Sequence, residues 1–307
     1  MSVVERTIVM TGATRGIGRI AAERILAEEP EAHLVLLARG PGDDLAARLG
    51  SHGGNVVVVR ADLASLRSTV DAVAEVVRRL NSGSLPPFRA LVCNAGIQYT
   101  NNLVQTTDGF EATFAVNVLA NHVLLRKLHG QMQAPARIVI TVSDTHFGDF
   151  RHNLGMVPGP RWLPANMLAR PGAFPNPAST RAGRTAYSTS KLAAVYLVHE
   201  WARRLPPGIE VVGYNPGFVP GTDLARDADR FSRFAMHRIM PWLTATPLAT
   251  SATKAGQYLA QAALGVIGAS NGTYIDRNRV SSSSRESYDA ERELDTWNTA
   301  EALTAEL

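Results

Sequence analysis

Short hydrophobic runs alternate along the chain with longer segments in which apolar residues recur every three or four positions. The short runs are typical of buried strands, and the longer segments are typical of helices that cover a sheet. The predicted strands are 7–10, 33–37, 55–60, 90–93, 137–142, 210–214 and 272–275. The predicted helices follow the first strand and then cover 66–80, 109–131, 185–204 and 246–264. Because strand and helix alternate without a break, the pattern predicts an α/β fold with a doubly wound parallel sheet, in a single domain over residues 1–307.

Two segments interrupt this alternation. Residues 147–183 contain six prolines and no helical period, which predicts a long loop insertion. Residues 219–247 place aromatic and methionine side chains among four arginines, which predicts a helical lid over a substrate. Ordinary packing and a helix on a membrane surface are the alternatives for that segment. Residues 281–307 follow the last predicted strand as a C-terminal extension.

Charge and cysteine content exclude several classes of function. The net charge of +4 comes from 31 basic and 27 acidic residues that are scattered, without the basic stripe of a nucleic-acid-binding protein. Cys93 is the only cysteine, which excludes an intrachain disulfide and a cysteine metal cluster. No apolar run approaches the roughly 18 residues that span a membrane, and the first strand leaves no room for a signal peptide. We expect a cytoplasmic protein that acts on a small molecule, without metal, nucleic acid or membrane contact.

The turn between the first predicted strand and its helix is rich in glycine, reading T-G-A-T-R-G-I-G over residues 11–18. Gly12 can adopt a positive φ, Gly16 lets the backbone approach a pyrophosphate, and Gly18 lets the helix close on the strand. Main-chain N–H groups and the positive end of the helix dipole then face one anion. The turn favours a nucleotide site, and a plain tight turn is the alternative.

A tyrosine and a lysine are spaced for joint chemistry on the predicted helix 185–204. Tyr187 and Lys191 are four residues apart, so their side chains share one helix face. A nearby ammonium favours the phenolate, and we expect it to lower the pKa of the tyrosine. Ser143 ends the fifth predicted strand, at the sheet edge where functional groups gather. A surface Tyr/Lys pair and an ordinary turn serine are the alternatives.

Two further polar features belong to the same edge of the predicted sheet. Residues 94–96, Asn-Ala-Gly, form a turn at the end of the fourth predicted strand. Asn117 lies inside a predicted helix, where asparagine is a poor helix former. A buried amide needs hydrogen-bond partners, which favours a functional or water-holding role.

Together these motifs resemble the short-chain dehydrogenase/reductase family, over roughly residues 5–280. The resemblance implies a Rossmann fold and a catalytic tetrad of Asn117, Ser143, Tyr187 and Lys191, in which Tyr187 and Lys191 also contact the cofactor. It implies cofactor contacts from Gly12, Thr14, Arg15, Gly16, Ile17, Gly18, Asp62, Leu63, Asn94, Ala95, Gly96, Pro216, Gly217 and Thr222. The long separation of Ser143 from Tyr187 looks like the retinol dehydrogenase and protochlorophyllide reductase branch, which acts on bulky, apolar substrates.

The residues near the second strand bear on the choice of cofactor. NAD-dependent folds place an acidic residue after this strand to bind the ribose 2′-hydroxyl. Here the strand ends at Ala38 and Arg39, and Arg15 lies in the glycine-rich turn. Two guanidinium groups suit a 2′-phosphate through charge-assisted bonds, which predicts NADPH (NADP+) as the cofactor.

The implied activity is hydride transfer from NADPH to a bulky, largely apolar ketone or aldehyde, or the reverse oxidation. In this hypothesis Ser143 holds the carbonyl oxygen, Tyr187 donates the proton, Lys191 tunes the tyrosine, and Asn117 holds a water. Reduction of a polarised C=C bond by the same site is the first alternative. A non-catalytic NADPH-binding regulatory protein is the second.

Three points stay open at this stage. Asp144 follows Ser143 and either contacts substrate or caps the turn. His146 is either catalytic or a satisfied turn residue. Family members are usually dimers or tetramers, but the insertion and the C-terminal extension could block one such interface, so a homo-oligomer is possible.

Overall fold

In a computed structural model, the described residues are 5–40, 46, 47, 49, 55–153, 155, 157–220 and 249–307. They contain one eight-stranded sheet in the order β3-β2-β1-β4-β5-β6-β7-β8. The strands are β1 (Arg6–Thr11), β2 (Ala32–Ala38), β3 (Asn55–Arg60), β4 (Phe88–Cys93), β5 (Met132–Thr141), β6 (Ile209–Asn215), β7 (Tyr274–Asp276) and β8 (Arg279–Ser281). All neighbours pair in parallel except β7 and β8, which pair antiparallel. The predicted doubly wound α/β sheet is confirmed.

Helices cover both faces of this sheet. They are α1 (Gly16–Glu28), α2 (Leu66–Asn81), α3 (Ala112–Phe114, Ala115–Leu119 and Ala120–Leu128 in succession), α4 (Thr180–Arg204), α5 (Ala252–Ala263) and α6 (Ala290–Leu303). α1 and α5 share one buried apolar cluster, while α2, α3 and α4 pack in the other. A Cβ on Gly256 would lie 2.6 Å from the Ile20 side chain, so this glycine allows α1 and α5 to pack closely.

The topology brings the turns after four strands to one edge. β1 lies at the centre, and the chain moves outward through β2 and β3 before it crosses to β4 on the other side of β1. The crevice between β1 and β4 is therefore the switch point at which open α/β sheets bind ligands. The glycine-rich turn and the turns after β4, β5 and β6 all open toward it.

Some elements differ from the prediction. α4 begins at Thr180 because the Ser179 side chain caps its first turn, accepting the Ala182 N–H at 3.2 Å. The insertion 147–183 is not a plain loop, since it contains helical turns at Phe150–Asn153 and Ala165–Leu168. β8 was not predicted, because its three residues are all exposed and carry no hydrophobic alternation. Of the predicted lid 219–247, residues 221–247 lie outside the described residues.

The C-terminal extension packs against the helices that cover one face of the sheet. Its helix α6 is capped by Asp289, and Glu293 accepts hydrogen bonds from His199 at 2.6 Å and from Arg203 at 2.5 Å on α4. Glu301 then pairs with His122 on α3 at 2.9 Å. The extension is thus held by both α3 and α4. Within the described part of the chain, no helix has the length and apolarity to cross a bilayer.

Candidate active site

The glycine-rich turn has the backbone geometry that an anion site requires. Gly12 and Gly16 have φ angles of 70° and 57°, which side chains rarely tolerate. A Cβ on Gly18 would lie 2.2 Å from the Gly12 carbonyl oxygen, so α1 closes on β1 only because residue 18 is glycine. Among the described residues, and apart from its chain neighbours and the backbone of α1, no heavy atom lies within 4 Å of the position that a Cβ on Gly16 would take. Arg15 precedes α1 and its side chain does not cap the helix, so the first N–H groups of α1 face this open space.

The Asn94-Ala95-Gly96 turn is joined to the glycine-rich turn by hydrogen bonds. The Thr11 hydroxyl accepts the Ala95 N–H at 3.0 Å, and the Asn94 amide donates to the Gly12 carbonyl at 3.3 Å. Thr141 at the end of β5 donates to Asn94 Oδ1 at 3.3 Å. The ends of β1, β4 and β5 are therefore fixed relative to one another by side-chain hydrogen bonds at the predicted cofactor crevice.

Tyr187, Lys191 and Ser143 meet where β5 faces α4. Lys191 Nζ donates to the Thr141 carbonyl at 2.9 Å and lies 5.8 Å from the centroid of the Tyr187 ring. The Ser143 hydroxyl lies near enough to the Tyr187 phenol to lower the pKa of that phenol. Both α4 side chains are buried, so the structure brings together the serine, tyrosine and lysine that the sequence singled out.

Burial is the largest cause of the pKa shifts of Tyr187 and Lys191. It raises the pKa of Tyr187 well above its ordinary value, and the negative charge of Asp144 adds to this, while the nearby Ser143 hydroxyl acts in the opposite sense. The predicted lowering of the tyrosine pKa by Lys191 is therefore wrong for this structure. Burial lowers the pKa of Lys191 itself to about 8, because an ammonium loses its hydration there.

This pKa predicts how activity depends on pH. The charge on Lys191 is present below about pH 8 and is lost as the pH rises through that value. If Tyr187 gives up its proton in the reaction, as the sequence hypothesis holds, this positive charge would stabilise the phenolate that forms, and kcat/KM should fall above about pH 8. Tyr187 itself stays protonated in this range. A pH–rate profile that remains flat to pH 10 would contradict this role for Lys191.

Asn117 lies in a single π-helical turn, Ala115–Leu119, within α3. Its Oδ1 accepts the Ile97 N–H at 2.9 Å, and its Nδ2 donates to the Ile97 carbonyl at 3.0 Å and to Ser190 Oγ at 2.9 Å. The amide therefore fixes the end of the 94–97 turn against α4. A Cβ on Gly96 would lie 3.3 Å from Lys191 Nζ and 3.4 Å from Asn117 Oδ1, so all three residues converge. The predicted water-holding role of Asn117 stays a prediction.

Asn215, at the end of β6, was missed by the sequence reasoning. Its Oδ1 accepts the N–H groups of Asp144 at 3.1 Å and of Gly217 at 3.0 Å, and its Nδ2 donates to Asp276 Oδ1 at 3.1 Å. One side chain thus joins the turn after Ser143 to the Pro216-Gly217 turn. The available signal was its place, directly before Pro-Gly at the end of a buried strand.

Replacing Asn215 by leucine should impair both turns. The N–H groups of Asp144 and Gly217 would lose their acceptor, at a cost of about 1–3 kcal/mol for each buried group left unsatisfied. We expect a lower melting temperature and a lower kcat. Asn271→Leu is the matched control, because Asn271 makes the same kind of bridge at the opposite end of β6, from Val211 to Ala202. A lower kcat in Asn271→Leu with an unchanged kcat in Asn215→Leu would contradict the assignment of Asn215 as the residue that holds the two turns of the site.

The structure decides between the two readings of His146 and narrows those of Asp144. The His146 ring is fully buried and uses both nitrogens, one with the Ser143 carbonyl and one with the Ser284 N–H, so it is a satisfied turn residue. Ser143, rather than Asp144, caps the short 3-10 turn Asp144–Phe147. The Asp144 carboxyl is buried and its pKa is raised to about 6, chiefly by that burial. A contact between Asp144 and substrate stays a prediction.

The remaining predicted cofactor residues that the structure describes lie at the carboxyl edge of the sheet or in the first turn of α1. Thr14, Arg15 and Arg39 are exposed at the ends of the neighbouring strands β1 and β2. Asp62 and buried Leu63 follow β3, and the Asp62 carboxylate accepts the Ala64 N–H at 3.1 Å. Ile17 is half-buried in the first turn of α1, and Pro216 and Gly217 follow β6. Thr222 lies outside the described residues.

Known proteins are similar to this chain in sequence and in fold. The short chain dehydrogenase family model matches residues 6–153. Protochlorophyllide reductase B of Oryza sativa subsp. japonica is 28% identical, over 97% of this chain and 77% of that protein. A Streptomyces sp. (strain C5) protein assigned as a daunorubicin C-13 ketoreductase is 32% identical, over 82% of each chain. Among solved structures, a blue fluorescent protein from a metagenomic library in complex with NADPH aligns with a TM-score of 0.64 at 21% identity, covering 90% of this chain and 97% of that one.

These similarities agree with the sheet order and with the turns at its carboxyl edge. The match to the family model covers β1 through β5, which carry the glycine-rich turn, the Asn94-Ala95-Gly96 turn and Ser143. The relative at 32% identity extends the similarity over most of the chain. This chain therefore belongs to the short-chain dehydrogenase/reductase family and is an NAD(P)-dependent oxidoreductase.

Proposed function

We propose that the protein is an NADPH-dependent reductase of bulky, largely apolar ketones or aldehydes. The observation that carries the proposal is the convergence of Ser143, Tyr187 and Lys191 at the end of β5, beside the crevice between β1 and β4. A Streptomyces relative assigned as a ketoreductase supports carbonyl reduction. The intact Tyr187 and Lys191 argue against a purely regulatory, non-catalytic role.

The residues around the glycine-rich turn fit a dinucleotide. The open space at Gly16 and the uncapped start of α1 offer N–H groups to a pyrophosphate. Arg39 is exposed directly after β2, where an NAD-dependent fold has an acidic residue, and Arg15 is exposed in the glycine-rich turn. Together their guanidinium groups suit a 2′-phosphate. Bound NADPH would supply the hydride. Lys191, together with Tyr187, would hold the nicotinamide ribose at the end of β5.

Ser143, Tyr187 and Lys191 would each have a separate role in the proton transfer. The Ser143 hydroxyl, which lies near Tyr187, would hold the substrate carbonyl oxygen beside the phenol. The raised pKa of Tyr187 keeps its proton in place at neutral pH, which suits a proton donor in the direction of reduction. As that proton moves to the substrate oxygen, the Lys191 ammonium stabilises the phenolate left behind. The same donor would serve the reduction of a polarised C=C bond.

The cofactor part of the proposal is tested by titration with NADPH and with NADH, following nicotinamide fluorescence. We expect tighter binding of NADPH, and we expect Arg39→Ala to weaken NADPH about 10- to 100-fold, because a hydrogen bond to a charged group contributes about 1.5–3 kcal/mol. NADH binding should be unchanged in that variant. Arg67→Ala, on the exposed face of α2, is the control. Equal binding of both cofactors by the wild-type protein would contradict the choice of NADPH.

A further inference from the structure

His146 connects the turn that carries Ser143 to the C-terminal extension. Ser284 N–H donates to His146 Nε2 at 3.0 Å, although the two residues are 138 positions apart in the chain. On the other side of the ring, Nδ1 bonds to the carbonyl oxygen of Ser143. One imidazole therefore bridges a predicted catalytic residue and residues 281–307.

The chemistry of the partners fixes the proton on this ring. A main-chain N–H only donates, so Nε2 accepts and carries no proton. Nδ1 then holds the proton and donates it to the Ser143 carbonyl. The ring is fully buried and packs against Phe147 at 4.3 Å and Tyr274 at 5.3 Å between centroids. Burial lowers the pKa of His146 to about 4, so the neutral form that this bridge requires is present at neutral pH.

The extension is firmly held at the point where it meets His146. The Ser284 carbonyl accepts hydrogen bonds from the Ser287 N–H at 3.0 Å and from its hydroxyl at 2.6 Å. Tyr196 on α4 donates to the Glu286 carbonyl at 2.8 Å. Beyond it, α6 is bound to α4 through Glu293. The N–H that His146 accepts is thus fixed relative to the helix that carries Tyr187 and Lys191.

We propose that His146 is a positioning residue through which the C-terminal extension holds Ser143 in place relative to Tyr187. The proposal rests on the proposed function of Ser143, since the serine is the group whose position matters. It assigns the extension a role in the reaction, although none of its residues belongs to the predicted site. A shift of the Ser143 hydroxyl of about 1 Å is enough to cost up to about 100-fold in rate.

Two substitutions of His146 separate the bridge from the local turn. His146→Asn can retain a donor to the Ser143 carbonyl but loses the acceptor for Ser284. His146→Gln can retain that acceptor but loses the donor. If the bridge matters, both variants should lower kcat at least about tenfold with test ketones, while the dissociation constant of NADPH stays unchanged. A kcat near the wild-type value for His146→Asn would show that only the local turn matters and would overturn the proposal.

A second pair of substitutions changes Ser284, at the other end of the bridge. Ser284 has φ −62°, which suits proline, so Ser284→Pro replaces the N–H by a ring carbon that displaces the imidazole without straining the backbone. Ser284→Ala keeps the N–H and removes a hydroxyl whose oxygen has no partner in the structure. We expect the proline variant to behave like His146→Asn and the alanine variant to behave like the wild type. Equal kcat for the two variants would overturn the proposal.

Hydrogen exchange tests the bridge without any turnover. The main-chain amides of Thr145 and His146, which bond to Ser143, should exchange faster in His146→Asn, His146→Gln and Ser284→Pro than in the wild type and Ser284→Ala. If the wild-type protein reduces no carbonyl, the proposed function fails, and the exchange rates alone decide whether the extension holds this turn. Unchanged exchange in Ser284→Pro would overturn the proposal even in an active enzyme.

Discussion

Replacing Tyr187 by phenylalanine is expected to lower kcat about 10³-fold, because positioned proton transfer contributes about 10²–10⁴-fold to catalysis. The substitution removes the hydroxyl that lies near Ser143 and leaves the buried ring in place. The dissociation constant of NADPH should change by a smaller factor than kcat, since the glycine-rich turn and the arginines Arg15 and Arg39 are untouched. The measurement is kcat for a reducible ketone, together with an NADPH titration of the same preparation.

Tyr196→Phe is the matched control for this experiment. Tyr196 is also a buried tyrosine of α4, but its hydroxyl donates to the Glu286 carbonyl, away from Ser143. It should lose some thermal stability, and its kcat should fall far less than that of Tyr187→Phe. If Tyr187→Phe retained a kcat within a few-fold of the wild type, Tyr187 would not be the proton donor.

Placing a single methyl group on Gly18 is expected to abolish NADPH binding and to destabilise the fold. A Cβ at this position would lie 2.2 Å from the Gly12 carbonyl oxygen and 2.4 Å from Asn94 Nδ2, so α1 must move away from β1. Overpacking of this kind costs about 1–3 kcal/mol or more, and the displaced N–H groups no longer face one anion. Thermal unfolding and the NADPH titration measure the two effects in one variant, Gly18→Ala.

Gly268→Ala is the control for the added methyl group. Within the part of the chain that the structure describes, no heavy atom beyond its chain neighbours lies within 4 Å of the position that a Cβ on Gly268 would take. The free energy of unfolding and the NADPH affinity should therefore stay near the wild-type values. Tight NADPH binding by Gly18→Ala would contradict the assignment of the glycine-rich turn as the cofactor site.

The elements that the sequence predicted well are those set by local pattern. The apolar runs place β1, β2 and β4, and the glycine spacing predicts a positive φ at Gly12 and the close approach at Gly18, both of which the structure confirms. The helical spacing of Tyr187 and Lys191 correctly indicated a shared environment. Each of these features depends on residues a few positions apart, where periodicity and residue type carry the information.

The features that were missed depend on contacts between distant parts of the chain. Asn215 bonds to a turn 71 residues earlier, and His146 accepts from Ser284, 138 residues later. The π-helical turn at Asn117 reflects its bonds to Ile97 and Ser190, which no helical periodicity encodes. The direction of the Tyr187 pKa was wrong for a related reason, because the sequence indicates the neighbouring charge but not the depth of burial.

Transfer of deuterium to a bulky aryl ketone from NADPH in which both hydrogens at C4 are deuterium, (4,4-²H₂)NADPH, tests carbonyl reduction most directly. We expect the deuterium on the carbinol carbon of the product, in the wild-type protein and not in Tyr187→Phe. An α,β-unsaturated ketone offered in the same assay provides both bonds for reduction. Deuterium on the β-carbon of that substrate, with no label at the carbinol carbon of either product, would contradict carbonyl reduction and assign the site to C=C bonds. NADPH binding without transfer to either substrate would contradict the proposed reduction of bulky ketones.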